Sequence, residues 1–251
     1  MRGAIEAGNV TRSARRLIAG LAVVPIGALA VLGFEAYRAR VQPRDDYGPV
    51  LNLDGGDGPT VVWLGDSTAS GVGVTRSADA LPAQAAAASG RAQHIVSLSV
   101  SGARVGDVLK LQLPHVPTDA SVVVIDIGAN DVVHGGLVRT YRRHYEQVLA
   151  ALPRSAKVIM LGVPDMGSPT RLEQPLRAIV GWRGRQFDGA VRDIARRHHA
   201  TYVDIAGPTG PRFRAEPGRY FFADRYHPNA AGYALWAAQV GPALRGAIPA
   251  G

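Results

Sequence analysis

From position 60 onward the chain repeats one alternation. A short, almost wholly apolar run rich in β-branched residues is followed by a helix-length segment rich in Ala and Arg. The short runs fall at 60–64, 94–98, 121–127, 157–163 and 201–205, each bounded by Gly, Pro, Asp or Ser. A strand with one wet face alternates apolar and polar residues, whereas a run that is apolar throughout is buried on both faces, as in a parallel sheet covered by helices. The segments between, at 78–89, 105–111, 137–152, 174–199 and 229–244, are candidates for the crossover helices that parallel strands need. The pattern predicts an α/β fold: a three-layer α/β/α sandwich built on a five-stranded, doubly wound parallel sheet.

The 251 residues suffice for one full core, and 47% hydrophobic with 19% charged residues is ordinary for a globular domain. The formal charge of +8 raises the question of nucleic acid. The basic residues are scattered and not interleaved with aromatics into a stacking platform, so no nucleic-acid partner is expected. Cysteine is absent, which excludes disulfides, thiolate metal sites and a thiol nucleophile. Covalent catalysis must then use another side chain.

Residues 17–34, LIAGLAVVPIGALAVLGF, carry no charge and follow Arg12, Arg15 and Arg16. At about 1.5 Å per residue they reach about 27 Å, close to the hydrocarbon thickness of a bilayer. Two readings compete. Ala28-Leu29-Ala30 resembles a small-residue cleavage site, but the apolar run continues to Phe34, which favours an uncleaved anchor. Residues 1–37 are therefore expected to be a membrane anchor or signal segment, with the main domain outside the cytoplasm, or secreted if the segment is cleaved. Residues 38–59, with Gln42-Pro43 and the run Asp54-Gly55-Gly56-Asp57-Gly58-Pro59, read as a linker, and 60–251 as one domain.

In open parallel sheets chemistry gathers beyond the carboxyl ends of the strands. Gly65-Asp66-Ser67 follows the first predicted strand, Ser101-Gly102 the second, and Gly128-Ala129-Asn130-Asp131 the third. A serine nucleophile needs a base, a group that orients the base, and donors for the developing oxyanion. Ser67 sits at a strand-to-turn junction among small residues. In Asp224-Arg225-Tyr226-His227-Pro228-Asn229, residues three apart can meet across one turn, so the Asp224 carboxylate can hold a ring nitrogen of His227. Pro228 suits the first position of the following helix. Gly102 offers an unshielded amide and Asn130 a side-chain NH₂, which with the Ser67 amide would make three oxyanion donors. Each motif alone also fits a plain turn or cap.

Together these four blocks, in this order, resemble those of the SGNH (GDSL) hydrolases over about residues 60 to 245. The resemblance implies a flavodoxin-like sheet, Ser67 as nucleophile, His227 as base, Asp224 as its orienting acid, and Ser67, Gly102 and Asn130 as oxyanion donors. It also implies an esterase or lipase that works without metal or cofactor on acyl esters of small molecules, lipids or acylated glycans. An O-acyltransferase using the same site, or a non-catalytic carbohydrate- or lipid-binding domain, are the alternatives. One departure is Ser97 and Ser99 where many members carry an Asn upstream of the glycine. Gly65-Asp66-Ser67-Thr68-Ala69 lacks the last glycine of a GxSxG elbow, so Ser67 is expected to be more exposed than in ordinary α/β-hydrolases.

Other features carry less. Gly71-Val72-Gly73 lacks the lysine of a phosphate loop. His198-His199 closes an Arg-rich helix without a ligand set, and no metal site is expected. Arg139, Arg142, Arg143 and His144 read as a solvated helix face. Trp63, Trp182 and Trp236 read as core or rim residues, with Trp182 a candidate border of an acyl pocket.

Overall fold

Each of the five apolar runs forms a strand: β1 (Thr60–Gly65), β2 (His94–Ser97), β3 (Val122–Asp126), β4 (Lys157–Leu161) and β5 (Thr201–Val203). The computed structural model describes residues 51–249 together with Gly33. The expected anchor, save Gly33, and residues 38–50 of the expected linker lie outside the described residues. The strands pair in parallel in the order β2-β1-β3-β4-β5, with β1 flanked by β2 and β3. The central strands are buried along their length, as continuous apolar runs require.

The helices between them are α1 (Leu81–Ser89), α2 (Val105–Asp107), α3 (Ala129–Val133), α4 (Val138–Ala151) and α5 (Leu176–Arg197). After β5 come α6 (Ala206–Ala215), α7 (Pro217–Tyr220) and α8 (Ala230–Ala247). The short α2 continues as a π-helical turn, Val108–Gln112, and a 3-10 turn, Leu113–His115, where the sequence predicted one helix over 105–111.

Residues alternate sides along a strand, so each strand feeds two cores. Val61 and Trp63 of β1, Val122 and Val124 of β3, and Ile159 and Leu161 of β4 join Leu81, Tyr233, Trp236 and Val240 in one cluster beneath α1 and α8. Val62, Leu64, Val123, Ile125 and Met160, equally buried, take the opposite side, where Tyr141 of α4 packs on Phe187 of α5 at 5.0 Å between ring centroids. Helices thus cover both faces of the sheet, and the predicted three-layer architecture is what the chain adopts.

The end of the expected linker is part of the folded unit. Leu53 is buried in the core cluster, Gly55 and Ile95 exchange backbone hydrogen bonds of 3.0 and 2.8 Å, and Asp54 Oδ1 accepts the Ser97 amide at 2.7 Å. The outer edge of β2 would otherwise present unpaired amides, and these residues cover it.

Candidate active site

The carboxyl end of β1 is a close crossing. A side chain at Gly65 would put its Cβ 2.3 Å from the Asp126 carbonyl oxygen of β3, so only glycine fits there. The Gln112 carboxamide donates to the Gly65 carbonyl and accepts from its amide, both at 2.8 Å, fixing the strand end. Beyond it the chain turns without forming a helix. Ser70 N donates to Asp66 O at 3.0 Å and Val72 N to Ser67 O at 2.9 Å. The helix expected over 78–89 begins at Leu81.

The histidine arrives from the other end of the chain. Asp224 Oδ1 accepts the amides of Tyr226 at 2.9 Å and His227 at 3.0 Å, folding the segment into a tight turn, and Arg225 takes a φ of 57° at its apex. That leaves Asp224 Oδ2 to meet His227 Nδ1 at 2.5 Å, while His227 Nε2 lies 3.0 Å from Ser67 Oγ. The Tyr226 ring stands edge-on to the imidazole at 5.1 Å between centroids. Pro228 is not the first residue of the next helix as expected. Asn229 is the cap of α8, its side chain accepting from Gly232 N at 3.1 Å, and Pro228 precedes it, bridged to Phe221.

Ser67, Asp224 and His227 are 7%, 4% and 8% exposed, so the serine is nearly buried. Burial raises the Asp224 pKa, but the hydrogen bond and charge of His227, with the two turn amides, outweigh it and hold the carboxyl below its ordinary value. The acid beside the imidazole is thereby kept ionised.

Asn130 lies in the first turn of α3 and in the wall of the cleft that holds Ser67 and His227. Its Nδ2 donates to Ala103 O at 3.1 Å and to Asp66 Oδ2 at 3.3 Å. Gly102 lies in the turn between β2 and α2, with a φ of 82° and open space where a side chain would stand. Val100 N on Gly65 O at 3.1 Å ties that turn to the end of β1. The turn carrying Gly102 is thus joined both to β1 and to Asn130. Ser97 and Ser99, in place of the usual Asn, bond one another through their hydroxyls at 2.8 Å.

The cleft measures about 530 Å³ counting its open mouth, and its walls beyond Ser67 are mainly apolar, with Pro164, Met166, Pro169, Phe213, Phe221 and Trp236 beside the polar Asp165, Ser168 and Thr209. Such a lining suits the hydrocarbon part of a substrate. Trp182 is not in it and stands 55% exposed on α5, whereas Trp236, read from sequence only as core or rim, forms part of the wall. Sequence reasoning passed over Asp66, Thr68 and Asp126. Thr68 Oγ1 lies 3.0 Å from Asp66 Oδ1 and 2.6 Å from Asp126 Oδ2. The signal for Asp126 was a charge closing the otherwise apolar run Val122-Val123-Val124-Ile125. His198, set aside as a ligand, pairs with Glu146.

A parallel sheet carrying a hydrogen-bonded Ser-His-Asp set at the carboxyl ends of its strands defines the class of α/β serine hydrolases. Within it, the chain belongs to the GDSL-like lipase/acylhydrolase family, whose model matches residues 63–235. It is 31% identical over 249 residues to the GDSL-like esterase Rv1075c of Mycobacterium tuberculosis, a match covering 89% of this chain and 78% of that protein. Its fold is like that of an extracellular lipase of Streptomyces rimosus, with a TM-score of 0.56, 24% identity, and 75% of this chain and 99% of that one covered. It is also like that of phospholipase A1 of Streptomyces albidoflavus NA297, with a TM-score of 0.56, 23% identity, and 76% and 100% of the two chains covered. This protein is an esterase- or lipase-type hydrolase of that family.

Proposed function

We propose that this hydrolase cleaves acyl esters through a covalent acyl-Ser67 intermediate, with His227 as base and Asp224 as its orienting acid. The observation that carries the reading is the unbroken chain of contacts from Ser67 Oγ to His227 Nε2 at 3.0 Å and from Nδ1 to Asp224 Oδ2 at 2.5 Å. In this reading His227 Nε2 takes the Ser67 proton as Oγ attacks the ester carbonyl, and then returns it to the departing alkoxide. A water, deprotonated by the same nitrogen, attacks the acyl-enzyme and releases the acid. The amides of Ser67 and Gly102 and the Asn130 side chain receive the oxyanion. The 3.3 Å contact from Asn130 to Asp66 is long enough for that hydrogen to be shared with an incoming oxygen. The acyl chain lies along the apolar wall of Phe213, Phe221 and Trp236. Residues 17–34 tether the domain to the membrane, with the site outside the cytoplasm.

The test is labelling by a fluorophosphonate together with turnover of p-nitrophenyl esters. Ser67→Ala is expected to abolish labelling, and Ser67→Ala or His227→Ala to lower kcat by about 10⁴-fold or more. Full activity in His227→Ala would overturn the assignment. With an added alcohol, free acid as the main product supports hydrolysis, and a new ester would make the enzyme an acyltransferase.

A further inference from the structure

The catalytic set leaves two buried carboxyls behind the nucleophile without a role: Asp66, 2% exposed, and Asp126, 5% exposed. The Thr68 hydroxyl stands between them, 2.6 Å from Asp126 Oδ2 and 3.0 Å from Asp66 Oδ1. A hydroxyl has one hydrogen to give. It can donate to only one of the two acids, and were both ionised the other contact would press lone pairs together in a buried site, at high cost. One carboxyl must therefore carry a proton and donate it to Thr68 Oγ1.

The remaining bonds say which. Asp66 accepts at both oxygens: Oδ1 also takes the Thr68 amide at 3.1 Å, and Oδ2 takes Asn130 Nδ2 at 3.3 Å. The chain then runs in one direction, from the Asp126 O–H to Thr68, from the Thr68 O–H to the Asp66 carboxylate, with the Asn130 amide donating to its far oxygen. We propose that Asp126 works as a neutral carboxylic acid and that, through Thr68 and Asp66, it is a positioning residue for the Asn130 amide. The proposal rests on the reading of Asn130 as an oxyanion donor.

Burial pushes both acids up, and the nearby Asp126 adds to the rise at Asp66, so the pair favours holding a proton. The titratable groups facing the pair are Tyr141 and Tyr145 from α4, Tyr233 from α8, and His227 from its turn. Burial holds the three tyrosines well above their ordinary range, so they stay neutral. Of these groups only His227 can become a cation, and its charge favours ionised Asp66. When the shared proton leaves for water, Thr68 can serve one carboxylate only, the two charges repel, and the acceptor that fixes Asn130 is disturbed. A Ser-His-Asp set alone gives a rate that rises as the histidine loses its proton and then levels. The acid pair adds a fall on the alkaline side.

The experiment is kcat and KM for a soluble short-chain p-nitrophenyl ester from about pH 5 to 10, on the full chain and on Asp126→Asn, Asp126→Leu and Thr68→Val. An Asn at 126 still presents a donor to Thr68 but cannot ionise. It should keep kcat at neutral pH within about threefold and lose the alkaline fall. Asp126→Leu and Thr68→Val break the chain and should lower kcat about tenfold with KM little changed. An infrared carbonyl band of a buried, protonated acid, present in the wild type near neutral pH and absent in Asp126→Asn, reads the proton independently of turnover. An alkaline fall unchanged in Asp126→Asn, or no such band in the wild type, overturns the proposal. A wild type inactive on every ester would count against the hydrolase reading, with the infrared band still deciding the protonation.

Discussion

At the scale of single residues, the site depends on carboxyls whose environments pull in opposite directions. Asp224 is buried yet held below its ordinary value, because the imidazole and two amides all favour its charge. Its contribution to stability is present above the unfolded carboxylate range and is lost as pH falls through the depressed folded value. Replacing it with Asn keeps the shape but offers His227 Nδ1 a group that can select the wrong tautomer. Asp224→Asn is expected to lower kcat by a smaller factor than Ser67→Ala, with KM nearly unchanged, as steady-state kinetics would show. Asp66 and Asp126 behave in the reverse sense, with burial raising the folded values of the pair above the ordinary 3.8. The stability they contribute is fully present below the unfolded pKa and lost as pH rises through those folded values. The difference in Tm between the wild type and Asp126→Asn should therefore shift against the wild type from about pH 4 to pH 8. Calorimetry finding a constant difference would contradict that sign.

At the scale of elements, the histidine turn is held by its neighbours more than by its own sequence. Asn229 caps α8 and also donates from Nδ2 to Arg219 O at 2.9 Å and Phe221 O at 3.1 Å, so one side chain binds the turn to α7. Asn229→Ala is expected to cost about 1–2 kcal/mol, visible in the denaturant midpoint, and to lower kcat because the base is less well held. The turn also packs closely against the loop after Ser67. Gly73 has a φ of 99°, and a Cβ there would lie 2.2 Å from Pro228 O. Helix α6 supplies Phe213, whose ring lies 4.9 Å from Phe221 and 6.2 Å from Trp236 in the cleft wall. Truncating it by Phe213→Ala lengthens the apolar cleft. The preferred acyl length in a series of p-nitrophenyl esters should move upward, whereas an unchanged profile would place the acyl chain elsewhere.

For the whole molecule, the formal charge of +8 and the apolar segment at 17–34 bear on where the enzyme works. Among the described residues no helix is long and apolar enough to cross a membrane, and the expected anchor lies outside them. Tethering predicts that the full chain stays in the membrane pellet after an alkaline carbonate wash, and release into the supernatant would refute it. The sheet was legible in the sequence because strands buried on both faces have no polar residues to blur them, as in Val122-Val123-Val124-Ile125. Helices α6 and α7 were not legible. Their Gly- and Pro-rich sequence, with Pro211 inside α6, argues against helix, and it is the packing of Phe213 on its aromatic neighbours that holds α6. The motifs that hold Ser67, Gly102, Asn130, Asp224 and His227 were legible too, since their spacing is local. Only the tertiary structure brought Ser67 and His227, 160 positions apart, to 3.0 Å, because the strand order seats β1 inside the sheet, between β2 and β3, while α8 packs beneath it and carries the histidine turn to its end. The same holds for the shared proton of Asp66 and Asp126. Which buried groups must share a hydrogen depends on contacts between β1 and β3, and no local pattern encodes them.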